Sequence, residues 1–189
     1  NFSVVYNSAD GDDQVLVSVD NYVLPANVEN LELQGSSALD ATGNVLSNEI
    51  TAQSGSHNNV LSGLDGADTL MGFGGDDSLL GGSHNDSLVG SAGADTLDGG
   101  TGHDTMSGGE DADYYVVDDI NDVVIDDGTS SGDHIQSSAT FTASPGIESL
   151  ELTGAAAIDA TGNVLANELT GNAADNVLIG LEQEDTLFG

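Results

Sequence analysis

Large apolar residues recur every nine positions through the middle of this chain. Six nine-residue blocks run without a gap from Gly63 to Val116, and the eighth position of each is large and mostly apolar. The eighth-position residues are Leu70, Leu79, Leu88, Leu97, Met106 and Tyr115. No segment sustains the i, i+3, i+4 apolar pattern of an amphipathic helix. The pattern therefore predicts short β-strands separated by turns.

Each block divides into a glycine-rich half and an apolar triplet. We expect six residues of turn followed by three of strand in every block. β-type segments predict strands at residues 15–19, 28–33, 114–117, 123–125 and 147–152. Turns this short cannot hold the crossover helix of a βαβ unit. The fold class predicted is all-β, a parallel β-solenoid whose coils stack at about 4.8 Å.

A second, longer repeat encloses the blocks. Residues 28–51 and 147–170 are near-copies, in which Leu31 of the first matches Leu150 of the second. Repeats of this kind indicate a solenoid. We expect residues 1–62 to be the first copy of spacer strands, 63–125 the nonapeptide roll with its terminal strands, and 126–189 a second, partial copy. All three should form one continuous solenoid. Because the chain opens inside the repeated pattern, we expect it to be part of a longer protein.

The charge balance excludes several kinds of partner. The 189 residues include 33 acidic side chains and no lysine or arginine, which gives a net charge of -33. Nucleic acids and anionic membrane surfaces both require basic side chains, so neither is expected to bind. No apolar run approaches the roughly 18 residues of a membrane span. The chain has no cation of its own, and a bound metal ion is the counter-charge that we expect.

The sixth position of each block supplies the candidate metal ligands. These residues are Asp68, Asp77, Asp86, Asp95, Asp104 and Asp113. If alternate turns lie on the same edge, aspartates two blocks apart face each other, such as Asp68 and Asp86. Calcium takes six to eight oxygen ligands, and paired carboxylates would supply part of that shell. The same two-block spacing adds Asp122 and Asn59 at the two ends of the array, and Asn167 and Asp185 in the second copy.

Backbone carbonyls of the glycine-rich turns are expected to complete the shell. The candidates at positions one and four are Gly63, Gly66, Gly72, Gly75, Gly81, Gly90, Gly93, Gly99, Gly102 and Gly108. At position four, His57, His84 and Asp111 stand where most blocks have glycine. If this position requires a positive φ, histidine and aspartate are among the residues that tolerate it best. We therefore interpret these side chains as turn residues and not as ligands, and Gln183 and Ala174 as poorer substitutes.

The blocks resemble the nonapeptide G-G-x-G-x-D-x-U-x of the RTX, or haemolysin-type, family of bacterial proteins secreted by type I systems. The resemblance implies a right-handed parallel β-roll with two nonapeptides per coil and several calcium ions between the turns. It also implies export of an unfolded chain that folds when it meets calcium outside the cell.

No catalytic motif stands out in the sequence, so we do not expect an enzyme within these residues. The function predicted is a calcium-binding structural repeat module of a secreted or cell-surface bacterial protein, such as a surface layer, fibre or adhesin. The alternative is the export and folding module of a secreted protease, lipase or toxin. Expected partners are calcium and a second copy of the chain, by head-to-tail or lateral assembly. The expected location is extracellular.

Overall fold

The computed structural model describes residues 3–5, 13–126 and 130–189, and these residues form β-strands and turns without a helix. In chain order the strands are β1 (Ser3–Val5), β2 (Gln14–Val17), β3 (Tyr22–Val23), β4 (Asn30–Leu33), β5 (Ala41–Thr42), β6 (Glu49–Thr51), β7 (Val60–Asp65), β8 (Thr69–Gly74), β9 (Ser78–Ser83), β10 (Ser87–Ala92), β11 (Thr96–Thr101), β12 (Thr105–Glu110), β13 (Tyr114–Val117), β14 (Val123–Ile125), β15 (His134–Ser137), β16 (Phe141–Thr142), β17 (Ser149–Leu152), β18 (Ala160–Thr161), β19 (Glu168–Thr170), β20 (Leu178–Ile179) and β21 (Thr186–Phe188).

Successive strands alternate between two faces, which makes the molecule a β-solenoid of about ten coils. The odd-numbered strands from β3 to β21 form one ten-stranded sheet. The even-numbered strands from β2 to β14 form the facing sheet, with β1 added at its edge, and β16, β18 and β20 form a third, three-stranded sheet. All pairings among the described strands are parallel except that of β1 with β2, which is antiparallel. The all-β solenoid predicted from the nine-residue period is confirmed.

The register of the central strands reproduces the spacing of two blocks per coil. Leu70 in β8 pairs with Leu88 in β10, and Leu79 in β9 pairs with Leu97 in β11, a separation of two blocks in each case. Outside the array the number of residues between paired positions changes. It is smaller than two blocks between His134 and its partner Ser149, and larger between Tyr114 and its partner His134. The turns accommodate these differences in length, because the inward side chains must stay stacked.

The core is a narrow stack of one large side chain per strand. Every eighth-position residue of the six blocks is fully buried, with 0% of its surface exposed. The same stack continues outward through Ile50 and Leu61 on one side of the array and through Val124 and Ile135 on the other. A strand with one face on this core alternates buried and exposed residues, which is the alternation seen in the sequence.

The strands within the array are longer than the sequence predicts. Each of β7 to β12 has six residues, because pairing continues past the apolar triplet into the first three positions of the next block. In β8, for example, Thr69–Gly74 ends on Gly72, Phe73 and Gly74, and Phe73 pairs with Ser91. The expected division into six residues of turn and three of strand is therefore wrong. The small side chains at many of these positions let neighbouring coils pair closely.

Candidate metal sites

The sixth-position aspartates form two buried columns, one along each edge of the solenoid. Each lies immediately before a strand and is no more than 3% exposed within the six blocks. The Oδ1 atom of Asp86 accepts a hydrogen bond from the backbone N–H of Asp68 at 2.7 Å. The N–H of Asp77 donates to Asp95 Oδ1 at 2.7 Å in the other column. The structure thus brings together the carboxylates that lie two blocks apart in the sequence.

Both columns extend beyond the six blocks. Asp104 donates its N–H to Asp122 Oδ1 at 2.9 Å, and Asn59 donates its N–H to Asp77 Oδ1 at 2.7 Å. In the second copy the N–H of Asn167 donates to Asp185 Oδ1 at 2.8 Å. Every side chain that the sequence nominates as a ligand therefore occupies a position in one of the two columns.

In most of these aspartates the second carboxylate oxygen has no hydrogen-bond donor. Asp122 differs, because its Oδ2 accepts the N–H groups of Asp118 and Asp119 at 3.2 Å and 3.1 Å. Among the residues that the structure describes, the Oδ2 atoms that are buried without a partner belong to Asp68, Asp77, Asp86, Asp95, Asp104, Asp113 and Asp133. A buried acceptor without a donor costs roughly 1–3 kcal/mol, and more when it is charged. Since the chain contains no lysine or arginine, a bound cation is the remaining partner for these atoms.

The glycines at position one let carboxylate and carbonyl oxygens approach each other closely. A Cβ added to Gly81 would collide with Asp86 Oδ2 and would lie 2.6 Å from the carbonyl oxygen of Gly99 in the next coil. Gly63 has the equivalent neighbours, Asp68 Oδ2 and the carbonyl of Gly81. Carboxylate and carbonyl oxygens, the hard ligands that calcium prefers, thus meet beside these glycines.

Position four adopts the left-handed conformation that the sequence suggests. Its φ is +86° at His84 and +71° at Asp111, where other blocks have glycine. Gln183 also takes a positive φ, whereas His57 and Ala174 are not among the described residues that do. The expectation of a left-handed turn residue is therefore wrong at His57 and Ala174.

Position two is equally left-handed, which the sequence does not reveal. Non-glycine residues occupy it at Leu64, Phe73 and Ser91, with φ between +71° and +92°. Glycine occupies it in the other blocks, and a Cβ on Gly82 would collide with the carbonyl oxygen of Leu64 one coil earlier. Leucine and phenylalanine are unfavourable in this conformation. The hydrogen bonds of the surrounding ladder must therefore hold the backbone of these residues in this conformation. Neither leucine nor phenylalanine indicates a turn in a sequence, so the conformation could not be predicted.

The comparison with protein families gives a match that covers the array. No curated protein and no solved structure matches the chain significantly. A family model described as the RTX calcium-binding nonapeptide repeat (4 copies) matches residues 53–88, 80–115 and 161–189. The matched stretches contain the position-six residues of all six blocks. This chain contains RTX calcium-binding repeats. RTX repeats bind calcium, and they are typical of secreted bacterial proteins.

The oxygen columns fit the ion that RTX repeats bind. The polar atoms beside the position-one glycines of the array are all oxygens, and each of these glycines faces a carboxylate. Calcium supplies the positive charge that the side chains of the protein lack. No helix in the described part of the chain is long and apolar enough to cross a membrane.

Burial makes the RTX aspartates unusually basic in the absence of an ion. Loss of solvent raises the pKa of Asp68, Asp77, Asp86 and Asp104 to about 6, and that of Asp95 and Asp113 to about 7. The N–H bond that each accepts lowers the pKa but does not offset the desolvation. For Asp86, Asp95, Asp104 and Asp113, neighbouring carboxylates in the same column add to the increase. The columns therefore bind protons more readily than exposed aspartates when they hold no metal.

Asparagines in the spacer coils are hydrogen-bonded without an ion. The Nδ2 atom of Asn167 donates to the carbonyl of Ile147 at 2.8 Å, while its Oδ1 accepts the N–H of Asn163 at 2.7 Å. Asn59 Nδ2 donates to the carbonyl of Leu39 at 2.7 Å. These two predicted end ligands thus differ from the aspartates, because their amides already bridge adjacent coils.

A second asparagine reinforces these spacer coils. Asn163 donates through Nδ2 to the carbonyls of Ser144 and Ile147, both at 2.7 Å, and its Oδ1 accepts the N–H of Leu165 at 2.8 Å. Asn44 makes the equivalent three bonds in the first copy. The shared sequence G-N-V-L-x-N at residues 43–48 and 162–167 therefore forms an amide clamp between coils.

Four acidic residues of the columns were not predicted from the sequence: Asp13, Glu29, Asp133 and Glu148. The N–H of Asp113 donates to Asp133 Oδ1 at 2.8 Å, although the two residues are more than two blocks apart. Glu148 Oε2 accepts the N–H of Asp133 at 3.1 Å, and Glu29 Oε2 accepts that of Asp13 at 2.9 Å. A sequence signal could have found them: an acidic residue two positions before a large apolar residue, even in segments that lack the glycines of the nonapeptide.

Proposed function

We propose that this chain is a calcium-binding structural module of a secreted or cell-surface bacterial protein, and that it folds when it meets calcium outside the cell. The observation that carries the proposal is the set of seven Oδ2 atoms that are buried without a donor in the described part of the chain, together with the absence of lysine and arginine from the sequence. These atoms belong to aspartates in adjacent coils. A divalent ion between coils would convert their repulsion into attraction.

The thin core supports a fold that depends on the ion. Burial of one leucine contributes about 1.5–3 kcal/mol. Ordering the backbone of the nine residues in its block costs about 1–2 kcal/mol for each residue. Ladder hydrogen bonds offset part of this difference, and the buried carboxylates increase it. Metal binding supplies folding free energy in small domains of this kind.

The concentration of calcium would then decide where the chain folds. Extracellular calcium modules bind at about 10⁻⁴ to 10⁻³ M. At the far lower free calcium of a cytosol, the chain would remain unfolded and competent for export. This proposal accounts for the acidic composition, because an unfolded chain with a charge of -33 resists aggregation.

A structural role as part of a surface layer, fibre or adhesin is supported by the long repeat. The unit at residues 28–51 recurs at 147–170, and the ten-stranded sheet runs through both copies. A repeated, continuous solenoid suits a spacer or scaffold. We propose no catalytic role for these residues, since the Oδ1 atoms of the columns are engaged by backbone N–H groups of the preceding coil.

Circular dichroism during a calcium titration tests the proposal. In excess chelator we expect the spectrum of an unfolded chain, and at millimolar calcium that of β-structure, with reversal when chelator is added back. Magnesium at the same concentration is the matched control, because it has the same charge but requires octahedral geometry at about 2.0–2.1 Å and dehydrates reluctantly. A β-spectrum that is unchanged by excess chelator would contradict calcium-driven folding.

A further inference from the structure

Three carboxylates meet where the nonapeptide array ends. Asp113 precedes β13, Asp126 follows β14 and Asp133 precedes β15. Each offers one ligand atom, and these atoms all lie within 4.8 Å of one another. We call this group the junction cluster. Asp126 and Asp133 both lie outside the residues matched by the RTX family model, which end at 115 in this part of the chain.

Two members of the junction cluster contain buried oxygens that need a partner. Asp113 is 1% exposed and Asp133 is 0% exposed. Their Oδ1 atoms accept the N–H groups of Asp95 and Asp113, at 2.9 Å and 2.8 Å. Their Oδ2 atoms are buried and accept no hydrogen bond. The need for a cation therefore rests on these buried atoms, and not only on the acidity of the cluster.

The third carboxylate, that of Asp126, is present because aspartate replaces glycine at position one. Asp126 lies two block lengths after Gly108, so it takes the place in the next coil that glycine takes throughout the array. At that position the array has only a backbone carbonyl beside the column of aspartates. Here a side chain of charge -1 is added. The junction cluster therefore differs in composition from the sites between nonapeptides.

Tyr115 holds the added carboxylate against the column. It is the only tyrosine at an eighth position in the six blocks, and it is fully buried. Its hydroxyl accepts the N–H of Gly108 at 3.0 Å and donates to Asp126 Oδ2 at 3.2 Å. A Cβ on Gly108 would collide with both Asp113 Oδ2 and the Tyr115 hydroxyl. The hydroxyl thus binds Asp126 beside the carboxylate of Asp113.

A neighbouring potential cation, His134, is engaged elsewhere. Its ring stacks on Tyr114 with centroids 5.0 Å apart, its Nδ1 lies 3.0 Å from Ser149 Oγ, and its Nε2 lies 3.8 Å from Glu151. Since the chain has no lysine or arginine, no such side chain can balance the buried Oδ2 atoms of Asp113 and Asp133.

We propose that Asp113, Asp126 and Asp133 form a three-carboxylate calcium site that closes the nonapeptide array. The inference rests on the proposed calcium binding of the array, and adds a site of different composition to it. Affinity for calcium increases with the number of charged ligands. This site therefore binds more tightly than the two-carboxylate sites and fills first as calcium rises. Early filling would order the junction before the rest of the array.

The test compares Asp126→Asn with Asp175→Asn, an exposed aspartate that loses the same charge outside the cluster. Calcium ions are counted by native mass spectrometry, and their affinities are measured by competition with a chromophoric chelator. We expect Asp126→Asn to lose the tightest ion, or to bind it more weakly than the wild type does, while Asp175→Asn matches the wild type. An unchanged count and unchanged affinities in Asp126→Asn would overturn the inference.

The outcome also separates this inference from the proposed function. If the wild-type chain binds no calcium, both fail. If it binds several ions and Asp126→Asn retains all of them with the same affinity, only the junction site fails.

A second readout uses terbium, which occupies calcium sites and luminesces when a nearby tyrosine is excited. The adjacent Tyr114 and Tyr115 should make the first equivalent bright in wild type and in Asp175→Asn, and dim in Asp126→Asn. Equal emission from all three chains would also contradict a junction site.

Discussion

At the scale of single residues, one aspartate per block has two functions. Oδ1 of Asp95 accepts the N–H of Asp77 at 2.7 Å and thereby joins two coils, whereas its Oδ2 is buried without a donor. The first oxygen contributes to the backbone structure, and the second is available to an ion. The arrangement requires glycine at position one, because any Cβ on Gly90 would collide with Asp95 Oδ2.

Asp95→Ala should therefore destabilise the chain and reduce calcium binding together. The N–H of Asp77 would lose its acceptor, at a cost of about 1–3 kcal/mol, and the sites shared with Asp77 and Asp113 would each lose a carboxylate. Calcium stoichiometry and thermal unfolding in calcium provide the measurements, with the exposed Asp65→Ala as the control. Equal calcium stoichiometry in wild type and Asp95→Ala would argue against the pairing of aspartates two blocks apart.

The raised pKa values predict that acid partly replaces calcium. Burial raises the pKa of Asp68 from 3.8 to about 6 and that of Asp95 to about 7, so between about pH 4 and 7 the folded chain binds more protons than the unfolded chain. Stability without calcium should therefore increase as the pH falls through this window and decrease as it rises.

Circular dichroism of calcium-depleted protein measures this effect. The β-signal should be larger at about pH 5.5 than at about pH 7.5, and the difference should disappear in saturating calcium, where the ion and not a proton occupies the carboxylates. A calcium-free chain that loses structure on acidification over this range would contradict the assigned burial of the aspartates.

At the scale of elements, the solenoid contains two kinds of coil. Coils of the nonapeptide array are joined by aspartates that need an ion. Spacer coils are joined by amides such as Asn44 and Asn163, whose donors and acceptors are satisfied within the protein. The G-N-V-L-x-N sequence thus gives the spacer coils an ion-independent connection.

Asn163→Ala should weaken the spacer coils without changing the calcium count. It leaves the carbonyls of Ser144 and Ile147 and the N–H of Leu165 without their partner, and we expect a loss of at least about 1–3 kcal/mol. Unfolding in saturating calcium and native mass spectrometry would be compared with Asn58→Ala, which removes an exposed amide. Loss of bound calcium with unchanged stability would show that Asn163 acts as a metal ligand and not as a clamp.

The sequence predicted those elements whose period is encoded in side chains. Leu70, Leu88 and Asp86 recur at fixed intervals because each must occupy the same place in its coil, so the inward stack and the carboxylate columns could be read directly. The six-residue strands could not, since Gly72 and Gly74 suggest turns although their backbones lie in the ladder. Asp133 was missed because a short insertion displaces it from the expected two-block interval.

At the scale of the whole molecule, the charge is the dominant feature. A net charge of -33 is distributed along about ten stacked coils, and its buried part lies in two columns at the edges. Ten coils at about 4.8 Å make a rod roughly 48 Å long. Repulsion along each column opposes the folded state until cations neutralise it, so the length of the folded solenoid should depend on calcium occupancy.

The most direct test of calcium between the coils is anomalous diffraction from crystals grown in millimolar calcium. We expect anomalous peaks in two columns, each peak beside the Oδ2 atom of a position-six aspartate and between neighbouring coils. Aspartate columns that contact only water, in crystals that hold ample calcium, would contradict it.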